Sequence, residues 1–194
     1  LPSVDLLEQL GVKRYKVASP DIVNLPLLEK IAHKHKPVLL STGMANDREI
    51  SQAVVALGIS GVTLLHCVSE YPCPFDHANL NRIAILGHDW QKLPVGFSDH
   101  TVEIETGMMA VSLGATILEK HFTLDRQYSG PDQAMSLEPG GLKHYIDMAH
   151  LAEQAVGPGV ASITGKEMAL RGKVRRSLYA TRDIAPGEPV TAEN

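Results

Sequence analysis

The chain contains the run Val62-Thr63-Leu64-Leu65-His66-Cys67, a short apolar stretch that ends in polar side chains, and this type of run decides the fold. Four further runs are equally short and are bounded by glycine, proline or polar residues, as buried parallel strands are. They are Tyr15–Ser19, Pro37–Thr42, Pro94–Ser98 and Thr116–Phe122. The sequence therefore predicts five parallel β-strands.

Helix-like segments alternate with these runs. One begins near Asn46, a good N-cap that is followed three residues later by Glu49. Another has a proline in its first turn and a glycine after its end, the usual asymmetry of helix termini. The strand-then-helix rhythm predicts an α/β fold around a parallel sheet. The predicted helices are Asn24–His35, the helix from Asn46, Glu103–Leu113 and Pro139–Val156.

Both open doubly wound sheets and (β/α)₈ barrels have this rhythm, but polar residues at the carboxyl ends of all five runs favour a barrel. Barrel enzymes build their site at that end of every strand, whereas an open sheet concentrates it at one switch point. We therefore expect the C-terminal five β/α units of a (β/α)₈ TIM barrel, with about three units before Leu1. The polar residues are Ser19, Ser41, Thr42, His66, Ser69, Ser98, Asp99, His100 and His121.

The alternating strand-and-helix pattern of the sequence ends after Gly157. Residues 159–173 resemble a linker, Ser177–Ala180 is a possible strand, and Pro186-Gly187 predicts a turn. The expected domains are a partial TIM barrel over 1–157, a linker over 158–175 and the truncated start of a small domain over 176–194.

Composition excludes several classes of protein. The net charge is −4, and the 18 Lys and Arg residues are scattered, so no basic stripe indicates nucleic acid. No apolar run approaches the roughly 20 residues that cross a bilayer, so no membrane partner is expected. Cys67 and Cys73 form neither a CxxC motif nor a disulfide framework, which favours a reducing, cytoplasmic setting.

Two histidines are candidate metal ligands. Strand alternation places His100 on the same face as Ser98, and His121 on the same face as Glu119. Two neutral imidazoles on adjacent strands can hold Mn²⁺, Mg²⁺ or Zn²⁺ and leave positions for substrate and water. The alternative interpretation is a pair of hydrogen-bonded core histidines.

A possible anion site consists of Lys16, Ser19, Ser41 and Ser98. A lysine supplies a point charge for phosphate, and hydroxyl groups donate hydrogen bonds to its oxygens. Each serine taken alone is more typical of an ordinary strand end. Neither GxGxxG nor a Walker motif is present, so a nucleotide is not indicated.

Three polar residues follow strands in predicted loops and are candidates for binding sugar hydroxyls or an acetamido group. They are Asp21, Tyr71 and Asp132. Their alternative role is that of solvated loop or helix-cap residues. Cys67 has no evident activating partner in the sequence and is expected to be a small buried residue.

Six motifs follow one another along the chain. They are Lys16-Val17-Ala18-Ser19, Ser41-Thr42-Gly43-Met44, His66–Pro72, Gly96–Thr101, Glu119–Phe122 and Gly130-Pro131-Asp132. In this order they resemble the N-acetylneuraminate (sialic acid) synthase family, which includes pseudaminic and legionaminic acid synthases. The resemblance covers almost the whole chain, and the tail from Arg176 to Glu188 is similar to the start of that family's antifreeze-like (SAF) domain.

The resemblance implies a metal-dependent transferase that forms a carbon–carbon bond, in a domain-swapped homodimer. His100 and His121 fall at metal positions, for Mn²⁺ or Mg²⁺. The residues at amino-sugar positions are Asp21, Tyr71 and Asp132. The residues at phosphoenolpyruvate positions are Lys16, Ser19, Ser41, Ser98 and Ser69, the last where sialic acid synthases often have asparagine. A catalytic glutamate is expected before Leu1.

The expected reaction joins phosphoenolpyruvate to N-acetylmannosamine, or a related N-acetylated amino sugar, and gives a nonulosonic acid and phosphate. Pseudaminic or legionaminic acid synthase activity is the alternative within this class. A non-catalytic carbohydrate-binding or scaffold protein is the alternative from another class. Release of phosphate from phosphoenolpyruvate separates enzyme from scaffold.

Overall fold

One parallel sheet organises the larger part of the chain in this computed structural model, which describes residues 2–160 and 162–194. Its strands lie side by side in chain order, and every neighbouring pair is parallel. The α/β prediction is thereby confirmed, and the sequential order is that of a barrel segment rather than a sheet with a switch point. The strands are β1 (Tyr15–Val17), β2 (Val38–Ser41), β3 (Val62–Cys67), β4 (Val95–Asp99) and β5 (Leu118–Lys120).

Helices occupy the connections between the strands. They are α1 (Pro2–Gln9), α2 (Leu25–Ala32), α3 (Asp47–Leu57), α4 (Asn81–Asp89), α5 (Glu105–Ser112), α6 (Pro139–Val156) and α7 (Gly165–Val174). The four predicted helices are present, and α6 has the predicted bounds. Two helices before Gly157 were not predicted, α1 and α4. No side chain caps the start of α4 at Leu80, and Gly87 lies inside it, so the usual signals are missing.

The start of α3 shows how the sequence sets a boundary. The Asn46 side chain accepts a hydrogen bond from the Glu49 backbone N–H at 3.0 Å, and the Glu49 carboxylate accepts one from the Asn46 N–H at 2.9 Å. This capping box satisfies two backbone donors that the helix leaves free. It confirms the predicted helix start and fixes the short loop that follows β2.

The hydrophobic core lies between the sheet and the helices. Leu40, Leu64 and Phe97 project from the outer face of the strands and are almost fully buried. Leu28 and Ile50 cover them from α2 and α3. Because successive strand residues point to opposite faces, the alternate positions face the concave side, and it is there that the polar residues gather.

Residues 158–194 form a separate compact unit. The segment predicted to be a linker contains helix α7, whose start is fixed by a capping box between Thr164 and Glu167. The linker prediction overlooked this local signal. Residues 175–194 contain no strand, so the strand expected at Ser177–Ala180 is wrong. The turn at Pro186-Gly187 is present, while the start of a SAF domain at 176–194 stays a prediction.

In the part of the chain that the structure describes, no helix combines the length and the apolar character that a bilayer crossing requires.

Candidate active site

A cleft of about 370 Å³ lies at the carboxyl ends of the strands. It brings together residues that are far apart in the sequence, because each strand ends at the same edge of the sheet. The predicted metal and anion groups share this cleft, together with one predicted sugar residue. The predicted residues that line it are Lys16, Ser19, Ser41, Tyr71, Ser98, His100 and His121.

Lys16 provides the positive charge on one side of the cleft. Its Nζ donates a hydrogen bond to Ser41 Oγ at 2.8 Å and lies 3.4 Å from Glu119 Oε2. Lys16 stands on β1, Ser41 on β2 and Glu119 on β5, so three strands contribute to this side. The arrangement presents an ammonium group and a hydroxyl group to any anion that enters.

A small niche of hydroxyl groups lies beside Gly43. The Gly43 N–H donates to Ser19 Oγ at 3.0 Å, and Ser69 Oγ is buried without a hydrogen-bond partner among the described residues. A Cβ atom at Gly43 would press on Ser69 Oγ and would lie 2.8 Å from Ser19 Oγ. Since buried hydroxyl groups normally find partners, Ser69 is available for a ligand oxygen.

His100 has a defined orientation. Its Nδ1 lies 2.7 Å from the Val68 carbonyl oxygen, which can only accept, so Nδ1 carries the proton and Nε2 keeps its lone pair. Burial acts to lower the pKa of His100, but the hydrogen bonds to Cys67 and Val68 outweigh it and raise the pKa.

Cys67 differs from the prediction that it lacks an activating partner. Its Sγ lies 3.8 Å from His100 Nδ1 and 3.5 Å from Ser19 Oγ. Burial acts to raise the pKa of the thiol, but the hydrogen bonds from His100 and Ser19 lower it below its ordinary value. The predicted burial of Cys67 is confirmed, whereas its partner was missed because that partner comes from another strand, which spacing along the chain does not show.

His121 lies next to His100, with 5.4 Å between their ring centroids. The Tyr71 ring lies against both, with its centroid 4.0 Å from that of His100 and 5.8 Å from that of His121. Asp132 Oδ2 lies 3.8 Å from His121 Nδ1. Burial lowers the pKa of His121, and His100 acts in the same direction when it is protonated, although Asp132 acts in the opposite direction.

The donor set of the two histidines fits a divalent cation. A ligating imidazole characteristically has its second nitrogen next to a carbonyl or carboxylate, and His100 and His121 have Val68 and Asp132 in these positions. Within residues 2–160 and 162–194, no group of three or more His, Cys, Asp or Glu could hold a metal. Water or substrate would therefore have to supply further ligands.

The remaining predicted residues occupy different places. Ser69 lies at the niche beside Gly43, and Asp132 lies beside His121. Asp21 belongs to the short 3₁₀ helix Ser19–Val23 and is outside the set of residues that line the cleft. The structure thus brings the anion and metal groups together and leaves Asp21 apart.

Sequence reasoning missed Glu119 as a site residue. Its carboxylate lines the cleft next to Lys16, on the same strand face as His121. The signal was present, because a charged residue in a buried strand that shares a face with a candidate ligand indicates a functional position.

Comparison with known proteins gives one consistent result. The NeuB family profile matches residues 1–161. The chain is 47% identical to the N,N'-diacetyllegionaminic acid synthase of Campylobacter jejuni, over 97% of this chain and 58% of the relative. It is 36% identical to the pseudaminic acid synthase of Helicobacter pylori, over 99% of this chain and 57% of the relative. It therefore spans little more than half the length of these relatives.

A solved structure agrees with the sequence relatives. The N-acetylneuraminic acid synthetase of Leptospira borgpetersenii, crystallised with citrate, superposes with a TM-score of 0.85 at 37% identity. The match covers 91% of this chain and 64% of that protein.

Proposed function

Because the chain belongs to the NeuB family, we propose that the protein condenses phosphoenolpyruvate with an N-acetylated amino sugar to give a nonulosonic acid and phosphate. One observation carries the proposal. An anion-binding side, Lys16 with Ser41, and an oriented imidazole pair, His100 with His121, line the same cleft.

The anion side of the cleft suits phosphoenolpyruvate, which carries a phosphate and a carboxylate. Lys16 contributes a charge-assisted donor, the strongest kind of hydrogen bond to such groups. The hydroxyl groups of Ser19 and Ser69 converge beside Gly43, and those of Ser41 and Ser98 border the cleft. These groups would hold the substrate in one orientation, which is a large part of catalysis in a two-substrate reaction.

His100 and His121 would hold a Mn²⁺ or Mg²⁺ ion through Nε2. When bound, such an ion supplies Lewis acidity that polarises a carbonyl oxygen. The hydrogen bond to the Val68 carbonyl orients the His100 ring, and Asp132 lies near His121 Nδ1. Tyr71 packs against both rings.

The amino sugar would lie against Tyr71 and Asp132, on the histidine side of the cleft. The 47% identity to the legionaminic acid synthase of Campylobacter jejuni, against 37% to the N-acetylneuraminic acid synthetase of Leptospira borgpetersenii, favours a legionaminic-type precursor over N-acetylmannosamine. Asp21 stays a candidate sugar contact, since it follows Ser19 by two residues at the rim of the sheet.

The experiment that tests the function measures phosphate release by the full-length protein from phosphoenolpyruvate with Mn²⁺. N-acetylmannosamine and the diacetamido precursors of legionaminic and pseudaminic acids are supplied in turn, and the product mass is determined. Phosphate release with one sugar, and a product mass equal to sugar plus pyruvate, is expected. Sugar binding without phosphate release from any of them would instead support the scaffold alternative.

We further propose that the full-length protein is a homodimer in the cytoplasm. The free, buried thiols of Cys67 and Cys73 suit a reducing compartment. Light scattering of the full-length protein tests the dimer.

A further inference from the structure

A buried ion pair joins Asp99 and Lys120 behind the cleft. Lys120 Nζ lies 3.0 Å from Asp99 Oδ2, and the two side chains are only 3% and 0% exposed. Both residues border the cleft, yet alternation turns their side chains towards the helix layer, while the adjacent His100 and His121 face inward. A substrate in the cleft therefore cannot contact the two charged groups.

The Asp99 carboxylate is fully hydrogen-bonded. Oδ1 accepts from the N–H and the hydroxyl group of Thr101, at 2.9 and 2.7 Å. Oδ2 accepts from the hydroxyl groups of Thr106 and Tyr145, at 2.7 and 3.0 Å. The carboxylate thus joins the end of β4 to both α5 and α6.

Lys120 makes equally specific contacts. Its Nζ donates to the backbone carbonyl groups of Thr101 and Glu103, at 2.6 and 3.3 Å, in addition to Asp99. The ammonium group therefore holds the backbone that follows His100 against the strand that carries His121. Lys120 links the two histidine-bearing segments directly.

A glycine in α5 makes room for this network. A Cβ atom at Gly107 would clash with the ring of Tyr145, lying 2.5 Å from Cε2 and 2.8 Å from the hydroxyl oxygen. The absence of a side chain at Gly107 lets Tyr145 approach closely enough to reach Asp99.

Asp99 and Lys120 are also opposite each other in the β4–β5 ladder. A shift of one residue in this pairing would turn every side chain of β5 to the other face. A buried ion pair contributes little net stability compared with apolar residues, and its best-attested use is to fix register.

We propose that Asp99 and Lys120 are positioning residues that set the placement of the His100 and His121 imidazoles and hence the affinity for the cation between them. This inference rests on the proposed metal role of the two histidines. The pair acts through the register of β4 and β5 and through the backbone that follows His100.

The test uses the full-length protein with the double variant Asp99→Leu/Lys120→Met, which removes both charges together. The matched control is Asp147→Leu/Lys143→Met, the same change in the exposed ion pair of α6. Three quantities are measured: cooperative thermal unfolding, the Kd for Mn²⁺ alone by calorimetry, and the ¹⁵N imidazole signals of the metal-free protein.

We expect the double variant to unfold cooperatively, while its Kd for Mn²⁺ rises about tenfold or more and the Nδ1–H signal of His100 shifts. The control should match the wild type in all three. If the double variant does not fold, Tyr145→Phe, which removes one donor and leaves the charges paired, should raise the Kd severalfold.

A folded variant with wild-type Mn²⁺ affinity and wild-type imidazole signals would overturn the inference. If the wild-type protein binds no Mn²⁺, the proposed metal role fails by itself. The metal-free imidazole signals then decide, because altered signals in the double variant still support the positioning role and unaltered signals overturn it.

Discussion

Lys16 Nζ and Glu119 Oε2 lie 3.4 Å apart, although they belong to the first and last strands of a five-stranded sheet. In a flat sheet these strands would be roughly 19 Å apart, at about 4.8 Å for each neighbour. The sheet is therefore strongly curved, and its concave face surrounds the cleft. The contact also places a carboxylate next to the ammonium group that is proposed to bind an anion.

Lys16→Ala should weaken phosphoenolpyruvate binding more than sugar binding. The variant loses a charge-assisted donor and exposes the anion to Glu119. A loss of about 1.5–3 kcal/mol is expected, which raises the Michaelis constant for phosphoenolpyruvate by at least about tenfold. Steady-state kinetics with each substrate varied in turn measures the effect.

Lys36→Ala is the matched control, since Lys36 is similarly exposed, at 26% against 31% for Lys16, and pairs with Glu8 away from the cleft. Its two Michaelis constants should stay at wild-type values. Equal increases of both constants in Lys16→Ala would show that Lys16 is not specific for the anion.

Gly43→Ala should impair phosphoenolpyruvate binding through steric crowding. The added methyl group would press on Ser69 Oγ and crowd Ser19 Oγ, so the hydroxyl groups of the niche could not converge on a ligand. Gly87→Ala is the control, because nothing lies within 4 Å of that methyl group inside α4, and it should stabilise the protein by up to about 1 kcal/mol. Wild-type phosphoenolpyruvate affinity in Gly43→Ala would exclude the niche as its binding site.

His100→Ala and His121→Ala should each raise the Kd for Mn²⁺ at least about tenfold and abolish metal-dependent phosphate release. A chelator should inactivate the wild-type protein, and Mn²⁺ or Mg²⁺ should restore it. His88→Ala, at an exposed position on α4, serves as the control. Either cleft variant that keeps wild-type metal affinity identifies its histidine as an ordinary core residue.

His66 should make the stability of the protein pH-dependent. Burial lowers its pKa below the ordinary 6.5, outweighing the hydrogen bond to the Ala78 carbonyl oxygen that acts to raise it. The unfolded chain therefore takes up a proton first as pH falls. This contribution to stability is complete above pH 6.5 and is lost as pH falls from there towards the lower folded-state pKa.

Urea unfolding of the wild type and of His66→Gln at pH 7.5 and 5.5 measures this contribution. The fall in unfolding free energy between the two pH values should be smaller in His66→Gln, while the exposed-site variant His88→Gln should fall as the wild type does. A wild-type slope in His66→Gln would assign the pH dependence to other groups.

Local patterns in the sequence predicted much of the fold. The bounds of β3 and α6 agree with the prediction because both elements have clear ends, polar residues in one case and Pro139 with Gly157 in the other. Helix α4 was missed because its start has no capping side chain. Helix α7 was missed although Thr164 and Glu167 supply one, since the surrounding glycines indicated a linker.

The site was predictable where alternation along one strand was sufficient, as for the inward direction of Ser98 and His100. Contacts between strands were not, because they depend on register, which the sequence leaves open. The approach of His100 to Cys67, and the pairing of Asp99 with Lys120, belong to this second kind. The metal and sugar assignments stay predictions until the measurements above are made.

The fit of Gly107 against Tyr145 has a consequence for how the family varies. A side chain can be added at position 107 only if position 145 loses its aromatic ring, because the two compete for the same space. An alignment of relatives should therefore show the two positions covarying, with a small residue at 107 wherever an aromatic residue occupies 145. Relatives without the tyrosine could carry a side chain at position 107, and they could also replace the Asp99–Lys120 ion pair that Tyr145 covers.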